Sequence, residues 1–513
     1  MASGMDCKTR LFYIVLRLLR KGAIRRYTTD PEGVQRRVLR YLVRRSARTE
    51  WGRRYGYAGM KSYEDFARAV PVSTYEELKG DIVRMRQGGR SILWPGLVRW
   101  FAKSSGTTAD KSKFIPVSRR GLWMLHYRGG MDNVYFYLRQ NPSSRLMHGK
   151  AMILGGSHAP NYNTANSFVG DVSAVMMENL PGFINASRVP SKEIALMADF
   201  AQKREAMART ISKEDVTNIS GVPSWMLSVL RRMLEVTGRE YLDDIWPNLE
   251  VFFHGGVAFT PYREQYRRLF RGAGIQYRET YNASEGFFGV QDDPSDSSML
   301  LMIDYDCFYE FIPMSEFGRA DAHPVPLWKV ATGVDYAVLI STSCGLWRYI
   351  IGDTVRFTSV KPYKFVITGR TKHFINAFGE ELIVDNAEKG LAAACEATGA
   401  VVRDYTAAPV FMDSSARCRH QWLVEFAVQP ASAEEFARVL DEALQHINSD
   451  YEAKRRDDIT LQRLELVVAR EGLFEEWMAS RGKLGGQNKV PRLSNSRGFI
   501  EPLLELNSGT SSI

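Results

Sequence analysis

Lys103-Ser104-Ser105-Gly106-Thr107-Thr108 is the stretch on which the reading of this chain turns. Four hydroxyl residues surround one glycine, and a basic run follows that closes at Pro116. Such a loop presents N–H and O–H donors with little side-chain bulk, which suits phosphate oxygens. The spacing and terminal Lys-Ser/Thr of a Walker A loop are missing. Taken alone, the same residues make an ordinary surface turn. Their meaning depends on what surrounds them.

Upstream, residues 8–50 read as helices. Ser62-Tyr63-Glu64-Asp65 and Ser73-Thr74-Tyr75-Glu76-Glu77 each open a further helix, with a capping hydroxyl followed by acidic residues. From about residue 97 the pattern alternates between strands and helices. Strands are predicted at 151–154, 249–253, 299–311, 336–340, 365–367, 422–428 and 459–468. Helices are predicted at 191–208, 223–236, 261–270, 384–398 and 433–449. The alternation implies an α/β architecture with ligand loops at strand ends.

A chain of 513 residues is too long for one ordinary core, and 45% apolar with 25% charged residues is a globular composition. Cys7, Cys307, Cys344, Cys395 and Cys418 are scattered, and the histidines show no metal-ligand spacing. No segment reaches about 18 uninterrupted apolar residues, so no transmembrane segment is expected. A cytoplasmic protein is predicted. The net charge of +10 is uneven: residues 1–60 hold 15 Lys/Arg against 4 Asp/Glu, a local +11 that leaves the remainder at −1. Val34, Val38, Tyr41 and Leu42 form an apolar stripe among Arg36, Arg37, Arg40, Arg44 and Arg45. That pattern fits a solvated helix packing one face on a core. It also fits peripheral contact of residues 8–54 with an anionic surface. Nucleic acid is not expected, because no aromatic-basic signature accompanies the charge.

Four later segments complete the pattern. His254-Gly255-Gly256-Val257-Ala258 is a strand-to-helix turn where backbone can approach a flat ligand. Tyr281-Asn282-Ala283-Ser284-Glu285-Gly286 offers an aromatic face and a carboxylate able to hold Mg2+ that bridges phosphates. Trp347-Arg348-Tyr349-Ile350-Ile351-Gly352-Asp353 places an Asp suited to a ribose diol beside a glycine. Thr368-Gly369-Arg370 ends a strand before Thr371-Lys372-His373.

In this order the segments resemble the adenylate-forming superfamily. Within it they are most similar to the Gretchen Hagen (auxin-responsive) acyl-acid-amido synthetase family in its bacterial-looking form. The resemblance runs from about residue 45 to 495. Its most specific part is the phosphate loop with Lys111-Ser112-Lys113-Phe114-Ile115-Pro116, supported by Thr49-Glu50-Trp51-Gly52 and Gly221-Val222-Pro223-Ser224-Trp225-Met226. It implies an adenylate-forming (acyl-adenylate/firefly-luciferase-like) α/β fold. An N-terminal ATP- and acyl-acid-binding domain would span 1–370 with mixed β-sheets and helices. A smaller mobile α+β lid domain would span 371–513, swinging about residues 368–373.

The resemblance further implies two steps: ATP, with Mg2+, adenylates a carboxylic acid and releases pyrophosphate, and the amine of an amino acid, or another amine acceptor, then takes the acyl group and releases AMP. By motif match, Ser104, Ser105, Thr107 and Thr108 would hold phosphates. Gly256, Tyr281, Asn282 and Ala283 would line the adenine and AMP site, with Ser284 near the α-phosphate. Glu285 would hold the metal, Asp353 and Arg370 would bind the ribose, and Lys489 would be the late catalytic lysine, with Lys483 as its alternative. Gly155-Gly156-Ser157-His158 and residues 170–177 fall where the fold would place acid-binding groups. Departures are Ala109-Asp110-Lys111 after the hydroxyl cluster and Thr371-Lys372-His373 after Gly-Arg. Two alternatives stay open: an acyl-CoA ligase on the same fold, and a non-catalytic membrane- or nucleic-acid-binding protein acting through the basic helices.

Overall fold

The computed structural model describes residues 4–509 except 106–111, 258, 260–261, 273, 320, 372–373, 412–417, 457–460 and 481–489. The chain divides into two compact units. One comprises residues 1–104 and 114–371, the other 105–113 and 372–513.

The larger unit opens with two helices, Cys7–Thr29 and Pro31–Ser46. Asp6 caps the first, accepting from the Lys8 and Thr9 amides, and Asp30 caps the second, accepting from Gly33 N. The second helix buries Val34, Val38, Leu39, Leu42 and Val43, so its apolar stripe packs on the core. Both predicted capping hydroxyls work: Ser62 and Thr74 form capping boxes with Asp65 and Glu77.

A mixed sheet of twelve strands organises this unit. One half is parallel, in the order Arg188–Val189, Lys150–Ile153, Val216–Gly221, Val251–Gly255, Gln276–Ala283. The other half is antiparallel and continues through Gly286–Val290, Met299–Leu301, Tyr363–Arg370, Tyr349–Val360, Asp335–Thr342, Cys307–Pro313 and Val325–Pro326. A separate three-stranded sheet holds Ser112–Val117, Trp100–Ser105 and Phe168–Gly170. The helix Pro223–Thr237 takes proline at its start, where the missing N–H costs nothing, and stops at Gly238 with φ +65°.

Several predicted elements differ. The region expected as strand over 299–311 is two strands, Met299–Leu301 and Cys307–Pro313, and the helix expected over 433–449 ends at Ile447. The helix expected over 191–208 is two, Lys192–Ala195 and Phe200–Ile211, because Asp199 caps a new start by accepting from Gln202 N. The helix expected over 261–270 is reduced to Arg263–Arg267 among the described residues. The strand expected over 459–468 is Glu465–Ala469.

The smaller unit is α+β. Val401–Val410 pairs antiparallel with Arg419–Val428, which pairs parallel with Glu465–Ala469. Helices Val384–Thr398 and Ala433–Ile447 pack closely: a side chain at Gly390 would stand 2.9 Å from Leu444.

Candidate functional site

Two neighbouring parallel strands bring the glycine pair and the Tyr281 segment side by side. In their register His254 faces Glu279 and Gly255 faces Thr280. Thr280 Oγ1 donates to the His254 carbonyl at 3.0 Å. A side chain at Gly255 would stand 2.5 Å from the Thr280 carbonyl oxygen and 2.8 Å from Asn282 Oδ1, so only glycine allows this approach. Gly256 then leaves the strand at φ +85°. Carboxyl ends of parallel strands are where open α/β sheets take ligands. His254 lies buried beneath, its ring 4.1 Å from that of Phe259. Burial, with the nearby Arg263 charge, pulls its pKa down to about 3, so the imidazole is neutral.

Gln276–Ala283 turns through Ser284-Glu285 into Gly286–Val290. The turn buries the Glu285 carboxylate, which accepts from Tyr349 OH at 3.4 Å. Tyr349 is buried, and burial plus the Glu285 charge raise its pKa well above the ordinary value, so it remains a donor.

Asp353 and Arg370 are cross-strand partners on Tyr349–Val360 and Tyr363–Arg370. Arg370 Nε donates to Asp353 Oδ1 at 2.7 Å, and Tyr281 OH donates to Asp353 Oδ2 at 2.6 Å. Burial first, and Asp353 second, keep the Tyr281 phenol protonated. Tyr281 and Asp353 belong to strands four steps apart in the sheet, which would separate them by about 19 Å in a flat sheet. Three strands lie between them, so the 2.6 Å bond shows that the sheet is curved strongly enough here to bring the two side chains together.

Tyr281, Asp353 and Arg370 therefore form one hydrogen-bonded group, and Ala283, Ser284 and Glu285 follow on the same hairpin. Gly256 and the exposed Asn282 occupy the adjacent strand ends. Ser104 is half-buried near the end of Trp100–Ser105, in the other sheet, and Ser105 closes that strand. Thr107, Thr108 and Lys489, with Lys483, lie outside the described residues.

Three features escaped sequence reasoning. Tyr349 is the phenol beside Glu285. Arg348, at φ +42°, is buried against Glu310 at 2.8 Å and donates to the Ala67 and Val70 carbonyls, so it braces the fold. Lys203 is buried with Nζ donating to the Gly155 and Gly156 carbonyls, both at 3.2 Å. The Asp171 carboxylate holds the same turn by accepting from Ser157 N at 2.9 Å. Only the neighbouring Trp-Arg and Gly-Gly motifs could have signalled them.

Solved structures show the same architecture. A GH3.15 acyl acid amido synthetase bound to 2,4-DB aligns with a TM-score of 0.60 at 21% identity, covering 95% of both chains. A 2-hydroxyisobutyryl-CoA ligase aligns with a TM-score of 0.54 at 14% identity, covering 95% of this chain and 94% of the other. The fold is that of the adenylate-forming ligases. The sequence matches the GH3 family N-terminal domain over residues 20–275, the GH3 family central domain over 300–370 and the GH3 family C-terminal domain over 385–498. The chain belongs to the GH3 family. Relatives include indole-3-acetic acid-amido synthetase GH3.3 of Arabidopsis thaliana, 26% identical over 94% of this chain and 92% of its own length. Another is indole-3-acetic acid-amido synthetase GH3.8 of Oryza sativa subsp. indica, 27% identical over 93% of this chain and 90% of its own length.

Proposed function

We propose that this protein is an ATP-dependent acyl-acid amido synthetase. It adenylates a carboxylic acid with release of pyrophosphate, then passes the acyl group to the amine of an amino acid with release of AMP. Family membership supports the reaction class. The observation that carries the reading to residues is the Tyr281–Asp353–Arg370 group at the strand ends, beside buried Glu285.

The residues suit a nucleotide chemically. Gly255 and Gly256 leave backbone accessible to a flat base. An ionised carboxylate has about four lone-pair directions. Tyr281 and Arg370 take one on each Asp353 oxygen, which leaves acceptor capacity for a ribose diol. Arg370 holds the Asp353 carboxylate in place and adds positive charge near the phosphates. Ser104, Ser105, Thr107 and Thr108 supply phosphate donors, and Asn282, Ala283 and Ser284 line the nucleotide from the hairpin.

Among the described residues no group of three or more His, Cys, Asp or Glu could hold a metal. Glu285 would hold Mg2+, with phosphate oxygens and water as the further ligands such an ion would take. When bound, that ion neutralises charge developing on the transferred phosphate. Tyr349 orients Glu285 for it. Lys489 supplies the late cation. A swing of the small unit about residues 368–373 would separate the two half-reactions.

Pyrophosphate exchange across a panel of carboxylic acids, with ATP and Mg2+, tests this reading. At least one acid should support exchange, and Glu285→Ala should abolish it. Exchange undiminished in Glu285→Ala would remove that residue's role.

A further inference from the structure

The first helix, Cys7–Thr29, has two apolar faces and only one is covered. Thr9, Leu16, Arg20 and Tyr27 are buried along the inner face. Arg20 pairs there with Asp132 at 2.6 Å and Asp304 at 2.8 Å, and Tyr27 also donates to Asp304. These partners fix the orientation of the helix in the larger unit. The opposite face is therefore held outward, and it is not polar. Leu11 is 66% exposed, Leu18 80% and Leu19 68%, with Ile14 and Val15 each more than 40% exposed.

Helical geometry at 100° per residue orders this face. Leu11, Ile14 and Leu18 run along its centre, with Val15 and Leu19 toward one side. Arg10, Arg17 and Lys21 form a row along one flank, Lys8 and Arg26 lie on the other, and Arg25 ends the central apolar line toward the helix C-terminus. All six are exposed. The helix carries seven Lys/Arg and no Asp/Glu. A greasy centre between two cationic rows is the arrangement of a helix lying in a membrane interface. Leucines enter the acyl boundary while lysine and arginine stems snorkel to phosphate. No helix among the described residues is long and apolar enough to cross a membrane, so this contact is peripheral.

We infer that the outer face of Cys7–Thr29 docks the protein on an anionic lipid bilayer. Charge complementarity selects this occupant. A second copy would cover the leucines but set only cations against cations along the flanks, at electrostatic cost. Nucleic acid would satisfy the cations but leave Leu11 and Leu18 without an apolar partner. The +11 confined to residues 1–60, against −1 elsewhere, also orients this end toward a negative surface before contact.

Vesicle co-sedimentation of the full chain tests the inference, using phosphatidylcholine alone and phosphatidylcholine with 30% phosphatidylserine. The wild-type protein should pellet with the anionic vesicles and stay soluble with neutral ones, and binding should weaken as salt rises. Leu11→Gln/Leu18→Gln should cut the partition coefficient roughly tenfold or more. Arg17→Gln/Lys21→Gln should cut it and flatten its salt dependence. All four side chains are exposed, so circular dichroism and pyrophosphate exchange should match wild type and confirm folded enzyme. Absence of wild-type binding to anionic vesicles would overturn the inference. So would undiminished binding by the double-leucine variant. A lipid-independent dimer that the leucine changes dissolve, without vesicle binding, would reassign the face to a second copy.

Discussion

Asp353→Asn probes the nucleotide end of the site with minimal change of shape. The carboxylate accepts two short bonds, from Tyr281 OH at 2.6 Å and Arg370 Nε at 2.7 Å, and its side chain is 13% exposed. An amide can give its carbonyl to Arg370 and its NH2 to the Tyr281 oxygen, so the local geometry survives. The negative charge does not. Hydrogen bonds to a charged group are worth about 1.5–3 kcal/mol. Loss of one such bond to the ribose lowers kcat/KM for ATP by roughly 10- to 150-fold, at about 1.4 kcal/mol per decade. Steady-state pyrophosphate exchange as a function of ATP concentration measures this directly. The loss should fall mainly on ATP, with KM for the acid changed little. Thermal melting monitors the fold, which should stay intact at the assay temperature. A folded Asp353→Asn enzyme with kcat/KM for ATP within twofold of wild type would refute the ribose assignment.

Other expectations follow from the same geometry. Glu285→Gln keeps the shape beside Tyr349 but removes the metal-ligating charge, so exchange should fall on the order of 100-fold or more and respond weakly to added Mg2+. Arg348→Met should destabilise by about 3–5 kcal/mol in urea unfolding, because it strands the buried Glu310 carboxylate. Arg348→Met/Glu310→Gln should recover part of that loss. His254→Phe tests acid stability. The folded imidazole has its pKa pulled down from 6.5 to about 3, so between those values the unfolded chain binds a proton that the native state does not. This contribution is intact above pH 6.5 and is lost as pH falls toward 3, at no more than about 1.4 kcal/mol per pH unit. His254→Phe should show a shallower decline of unfolding free energy over that window than wild type.

Much of the framework was legible because it is written in local chemistry. Ser62 and Thr74 announce helices through capping boxes, and the glycines at 255 and 256 mark a strand end. The family-specific segments supplied their order. What escaped depends on how distant parts curve together. Nothing in the spacing of Tyr281 and Asp353 reveals that their side chains meet although their strands are four steps apart in the sheet. Arg348 lies within a motif suggestive of nucleotide binding, yet its partners Glu310, Ala67 and Val70 come from remote segments and make it a brace. The break at Asp199 was visible as a second capping residue inside an apparent helix, but periodicity alone runs through it. The first helix shows the limit most clearly. Its apolar residues fall on two faces, and only the packing against Asp132, Asp304 and their neighbours reveals which face is left outside.

Amide formation through an activated carboxylate is tested by mass-spectrometric product analysis of the purified protein with ATP, Mg2+, an exchange-active acid and either a pool of amino acids or CoA. The expected products are an acyl–amino acid conjugate with one AMP and one pyrophosphate per amide, and little thioester. Thioester formation with CoA and no amide would contradict it.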